Sequence, residues 1–235
     1  MDLKTSQLIS QLDDEQAINR VYAIEDLAEL GELICVRPIS KKLTDEDIAV
    51  KEAAIDALIK LRFPQTIDYI FQHLFSEEVY IRNAVCEIIE LQGDSGFMHF
   101  SKMCRAFIPA NNNLSIKQID VLKFIIDILG KMKLEKADNL QERISLLNLY
   151  RDVLDENIQI AIVESLSYLG EHQLLKEYEE NFQAYTPWVQ CAIIELASKA
   201  PSERQEQFKL NCYPKIIDDM VKTIFESKLS HLGAA

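Results

Sequence analysis

The sequence predicts an all-α fold: about six helical hairpins stacked in series, with a cap helix at each end. Three observations predict it. An apolar pattern recurs at a period near 31, ending at Leu30, Leu61 and Leu91. Gly and Pro number only six each, too few for the turn density of an all-β chain or the glycine-rich loops of an α/β nucleotide fold. Helix-start signals stand where the repeat says helices begin. A single hairpin cannot bury its apolar face, but hairpins stacked on their neighbours can. The whole chain, 1–235, reads as one such domain.

Residues 2–12 form the N-terminal cap helix, and the repeats run from about 13 to 200. The first helix of each hairpin, helix A, carries a small residue, an apolar one four later and Leu three further. Ala23, Leu27 and Leu30 do this; so do Ala54, Leu58 and Leu61, and Ala84, Ile88 and Leu91. That spacing makes one helical face. Two more copies end in Leu129-Gly130 and Leu169-Gly170, and a weaker sixth runs from Pro187 through Ala197. A Gly after the last Leu suits the left-handed position that closes a helix. The second helix, helix B, follows in shorter patterns. They are Ile67, Ile70, Phe71 and Leu74; Phe97, Phe100, Cys104 and Phe107; and Leu140, Ile144 and Leu147.

Thr44 with Asp47, Ser76, Ser115 with Gln118, Thr186 with Pro187 and Gln190, and Ser202 with Gln205 are the helix-start signals. A C-terminal cap helix covers about 213–231, with Ile216, Ile217, Met220, Val221, Ile224 and Phe225 on one side. Pro109-Ala110-Asn111-Asn112-Asn113 is a loop by composition. There the spacing from Leu91 to Leu129 swells to 38. The loop is either a tolerated insertion or a binding edge. The basic run from Lys131 to Lys136 is either a connector or part of that edge.

The net charge of −13 repels nucleic-acid backbones and anionic membranes. It fits solubility, or a basic partner surface. No window nears 18 consecutive apolar residues, so no membrane insertion is expected, and Met1–Ser6 has no secretion-signal pattern. Five irregularly spaced cysteines without a CxxC pair read as buried, reduced thiols of a cytoplasmic protein.

The run of Ala followed by L-x-x-L-G, as in Ala23 to Gly31, at a period near 31, resembles short HEAT repeats, and most of all those of the phycobilin lyase subset. The resemblance covers about 13–200. The family's Val-Arg pair is kept as Val50-Lys51 and Ile81-Arg82 and loses its charge at Ile160-Ala161. It implies a right-handed α-α superhelix whose B helices line the concave side. It also implies a range of roles, from bilin lyase to scaffold and adaptor.

No catalytic constellation is visible. The histidines, His73, His99, His172 and His231, form no HExxH and no His-Glu pair, so no metal site is expected. Phosphate-binding glycine motifs and a GxSxG elbow are absent. No cofactor is expected. Acidic clusters at 13–15, 45–47, 77–78 and 155–156 either offset helix dipoles or form a ridge for a basic partner. If the apolar residues of the B helices face the core, Arg37, Lys41, Lys102, Arg105 and Arg143 point outward. They then make a groove for an acidic helix or tail of another protein. Trp188, the only Trp, sits beside Pro187 in a first helical turn, either as packing or as an interface anchor. With Asn111, Asn112 and Asn113 these residues are the candidate contact set. The expected function is a non-enzymatic scaffold, adaptor or regulatory subunit. The alternative is a lyase-like or chaperone-like protein that handles a tetrapyrrole and its acceptor protein. An enzyme with dispersed site residues is the third reading and needs a deep, enclosed, polar pocket.

Overall fold

The computed structural model describes residues 3–107 and 114–229, and every regular element among them is helical. In order these are α1 (Leu3–Gln11), α2 (Ala17–Leu30), α3 (Val36–Ser40), α4 (Ile48–Leu61), α5 (Thr66–Ile70), α6 (Val79–Leu91) and α7 (Gly93–Ala106). Then come α8 (Ile116–Lys131), α9 (Ala137–Tyr150), α10 (Glu156–Leu169), α11 (Leu175–Glu180), α12 (Pro187–Ser198), α13 (Ser202–Cys212) and α14 (Asp219–Leu229). Short 3₁₀ turns at Leu33–Cys35, Lys41–Thr44, Phe71–Phe75, Phe182–Ala184 and Tyr213–Lys215 join them. Asn111–Asn113 and His231 lie outside the described residues.

The helices fall into two compact units. The first holds residues 3–107 and Met132–Leu146. In it α1, α2, α4 and α6 pack in series as an A layer, and α3, α5 and α7 pack in series as a B layer behind them. The second holds residues 114–131 and 147–229. In it α8, α10, α12 and α14 form the A series, and α11 and α13 the B series.

The period in the first unit is sharper than the sequence pattern. The residues before α2, α4 and α6 are Gln16, Asp47 and Glu78, each 31 apart. Gly31, Arg62 and Gly93 then take left-handed backbone, again 31 apart, with φ of 66°, 48° and 52°. Ala23, Ile24 and Leu27 therefore match Ala54, Ile55 and Leu58, and then Val85, Cys86 and Ile89; all nine are buried. The reading that ended the third repeat at Leu91 was one residue early. Leu91 is 38% exposed, and Gln92 fills its place in the core.

Other expectations are corrected in detail. Gly130 is not a helix terminator, because α8 continues to Lys131. A Cβ there would lie 2.8 Å from Ser165 Oγ on α10, so the glycine serves the close approach of two A helices. Gly170 does close α10, at φ 68°. Asp47, not Thr44, caps α4, accepting from the Ala49 amide at 2.8 Å. Ser76 lies three residues before the start of α6 rather than opening it, and its Oγ accepts from the Glu78 amide. Ser115 and Gln118 form the reciprocal capping box, and Thr186 caps α12 ahead of Pro187. Pro201, not Ser202, precedes α13, and Gln205 donates to the Ser198 and Ala200 carbonyls. On α9 the buried residues are Arg143, Leu146, Leu147 and Tyr150, while Leu140 is 41% exposed. The C-terminal cap is not one helix over 213–231. Ile216 is extended, Ile217 is 88% exposed, and α14 starts afresh behind Asp218, which accepts from the Met220 and Val221 amides. It buries Val221, Phe225 and Leu229.

Candidate partner-binding surface

The first unit's B layer is built from two five-residue helices, α3 and α5, each running on into a 3₁₀ turn, and the longer α7. In α3 Val36, Ile39 and Ser40 are buried, which leaves Arg37 and Lys41 exposed one turn apart. In α5 and the 3₁₀ turn after it Ile67, Ile70, Phe71 and Leu74 are buried, and Asp68 and Gln72 face out with Tyr69 half-buried. α7 buries Phe97, Phe100 and Cys104 and leaves Met98, Lys102 and Arg105 exposed. Between them lies an open groove of about 560 Å³. Arg37, Ser40 and Lys41 line one side; Asp68, Tyr69 and Gln72 line another; Phe75 and Met103 give it an apolar patch.

The five cations expected on this face divide. Arg37, Lys41 and Lys102 are exposed and have no ion-pair partner among the described residues. Arg105 is exposed but already clamped: its Nε and Nη2 donate to Glu142 at 2.8 and 2.7 Å. That fork holds the Glu142 carboxyl below its ordinary range, with help from the Ser101 hydroxyl. Arg143 does not point outward. It is 3% exposed, and its Nη2 donates to the Met132 carbonyl at 2.7 Å. The face of α9 that turns inward is Arg143, Leu146 and Leu147, so the long stem packs while the guanidinium tidies a turn. Trp188 belongs to the second unit and is 59% exposed in the first turn of α12.

The first unit also contains a ladder of ions that follows the 31-residue period. The fourth residue of each A helix is Arg20, Lys51 and Arg82. Arg20 donates through Nη2 to Asp45 at 2.7 Å and through Nη1 to the Asp14 carbonyl at 2.9 Å. Lys51 meets Glu78 at 2.7 Å. Arg82 donates to the Ser76 carbonyl at 2.6 Å. Gln190, fourth in α12, does the same work without charge, donating to the Phe182 and Tyr185 carbonyls. The acidic clusters are thus largely consumed in capping and in tying one repeat to the next. The signal was the 31-residue spacing of Arg20, Lys51 and Arg82.

The second unit holds a cavity of about 500 Å³ beside Arg151, Glu177, Tyr178 and Tyr185. Its polar groups are turned on one another. Arg151 donates to Glu177 at 2.7 Å and stacks over the Tyr178 ring at 5.1 Å. Burial pushes the Tyr178 phenol up to about 12, so it stays protonated at neutral pH. His172, in the connection between α10 and α11, is pushed down by burial.

Residues 5–90 match the model for HEAT repeats. This stretch is what the chain shares with HEAT repeats. It runs from α1 into α6, the part of the chain where the 31-residue period holds. No curated protein matches the sequence. Among solved structures, the CpcE–CpcF complex of phycocyanin lyase from Nostoc sp. PCC7120 aligns over 97% of this chain and 96% of its own, at 15% identity and TM-score 0.38. Two engineered proteins align over 99% of this chain at 12% identity. One is covered over 68% with TM-score 0.41, the other over 97% with TM-score 0.39. Likenesses this distant say nothing of function. No helix among the described residues is long and apolar enough to cross a membrane.

Proposed function

We propose that this chain is a non-enzymatic binding module whose first unit takes an acidic segment of another protein along its B-helix face. The observation that carries the reading is the groove between α3, α5 and α7. Its free cations, Arg37 and Lys41, stand beside an apolar patch of Phe75 and Met103. A segment with carboxylates on one side and apolar residues on the other complements both. The groove is open, which suits a peptide and not a small substrate that must be shielded from water. Lys102 extends the basic strip on α7. Arg105 is no longer part of it, because Glu142 already occupies its guanidinium.

The test uses the full chain and a labelled Glu/Leu amphipathic peptide followed by fluorescence anisotropy. Arg37→Glu with Lys41→Glu is expected to weaken binding by more than about tenfold, with helicity and melting unchanged. Binding that survives both reversals rejects the groove.

A further inference from the structure

The opposite face of the first unit carries the reverse charge, and its pattern is regular. Glu25, Asp56 and Glu87 occupy the same position in α2, α4 and α6, 31 residues apart. All three are exposed, and none has an ion-pair partner among the described residues. The cations of these helices are already engaged. Arg20 serves Asp45, Lys51 serves Glu78, Lys60 pairs with Glu29, and Arg82 serves loop carbonyls. The row is therefore a line of uncompensated carboxylates on three helices packed in series.

Beside it lies a band of exposed apolar side chains from the first two turns of the same helices. Ile18 is 49% exposed, Tyr22 58%, Ile48 56%, Val79 58% and Tyr80 43%. The band and the row meet: burial first, then the negative charges of Glu52 and Asp56, push the Tyr80 phenol up. Solvated helix faces usually spend such positions on Lys, Glu or Gln, not on five large apolar residues.

We infer that this A-helix face is a second docking surface, and that its occupant is a basic amphipathic helix of another protein. Packed helices lie about 8–10 Å apart. A bound helix rises about 10.5 Å in seven residues. Lys or Arg at every seventh position thus meets Glu25, Asp56 and Glu87 in turn, while apolar residues on its flank cover Ile48, Val79 and Tyr80. A second copy of this chain placed like face on like face does not fit, since it brings the same carboxylates. This surface stands independently of the B-helix groove, which prefers the opposite charge.

The probe is a labelled helix-forming peptide of about 18 residues, with Lys seven apart and Leu beside them, added to the full chain. Binding is expected, and raised salt is expected to weaken it. The triple variant Glu25→Gln, Asp56→Asn, Glu87→Gln is expected to lose about tenfold or more in affinity. Ile48→Ser with Tyr80→Ser is expected to lose as much, since both side chains are exposed and carry no core. Asp120→Asn, Glu164→Gln, Glu203→Gln, which removes the same charge from exposed sites of the second unit, is expected to bind like the parent. So is Arg37→Glu with Lys41→Glu, which separates this surface from the groove. Equal losses in the two triple variants would mean that net charge alone attracts the peptide, and would overturn the site. Undiminished binding in the first triple variant, or in the Ser double variant, overturns it as well.

Discussion

Gln92 shows how one residue can sit against its repeat. In the 31-residue register it stands where Leu30 and Leu61 stand in the two preceding copies. It is 5% exposed, and neither amide atom has a hydrogen-bond partner among the described residues. A buried amide without partners costs about 1–3 kcal/mol. Gln92→Leu is therefore expected to raise stability by about that much, read as a higher urea midpoint at unchanged slope. A lower midpoint refutes it. Asp45 makes the opposite case, a buried charge that is well met. Burial is the largest single influence and pushes its carboxyl up, but the hydrogen bonds from Arg20 and the Asp47 amide, with the charges of Arg20 and Lys42, together outweigh it and its pKa is lowered from 3.8. A depressed carboxylate stabilises the fold above its unfolded value and loses that contribution as pH falls through the folded one. Urea midpoints are thus expected to drop as pH falls below about 4, and the drop is expected to be shallower in Asp45→Asn. Equal slopes in parent and variant exclude the pair as a source of acid sensitivity.

Between elements, α8 and α10 approach each other closely. Ser165 Oγ donates to the Ile126 carbonyl at 2.9 Å, and Gly130 leaves room for it. Gly130→Ala drives a methyl into Ser165 and is expected to cost about 1–3 kcal/mol, despite alanine's better helix propensity. Melting temperatures settle this: the penalty is expected to shrink in a Ser165→Gly background, as for any pair in contact. A stabilised Gly130→Ala protein contradicts the close packing. The same reasoning separates glycines that look alike in sequence. Gly31 and Gly170 end helices in left-handed backbone with open space around them, whereas Gly130 is helical and crowded.

In each of the two units, burial hides thiols. Cys35, Cys86, Cys104 and Cys212 are buried and Cys191 is half-buried. Burial pushes Cys212 up to about 12 and raises Cys35 and Cys191. Since the thiolate is the reactive species, native protein is expected to present at most one slowly reacting thiol to a disulfide reagent. Urea is expected to expose all five, and fast reaction of several cysteines without denaturant rejects the core described above. The first unit separates its charge: unpaired cations, Arg37, Lys41 and Lys102, on the B layer, and unpaired carboxylates, Glu25, Asp56 and Glu87, on the A layer. Neither set is apparent from the net charge of −13.

Periodicity and capping chemistry are local properties, and they are readable from the order of residues: an all-helical chain, hairpins in series, the helix starts at Ser115 and Thr186 and most of the buried apolar stripes. The third repeat was misread by one position because Leu91 and Gln92 can each end an apolar pattern, and only the left-handed turn at Gly93 chooses between them. The groove was half legible. Arg37 and Lys41 follow from helical spacing, but Arg105 and Arg143 did not, since whether a cation is free depends on carboxylates and carbonyls about 40 residues or fewer away in sequence. Pairing of charge, like the crowding at Gly130, is a matter of distance in space. It exists only once the helices have stacked.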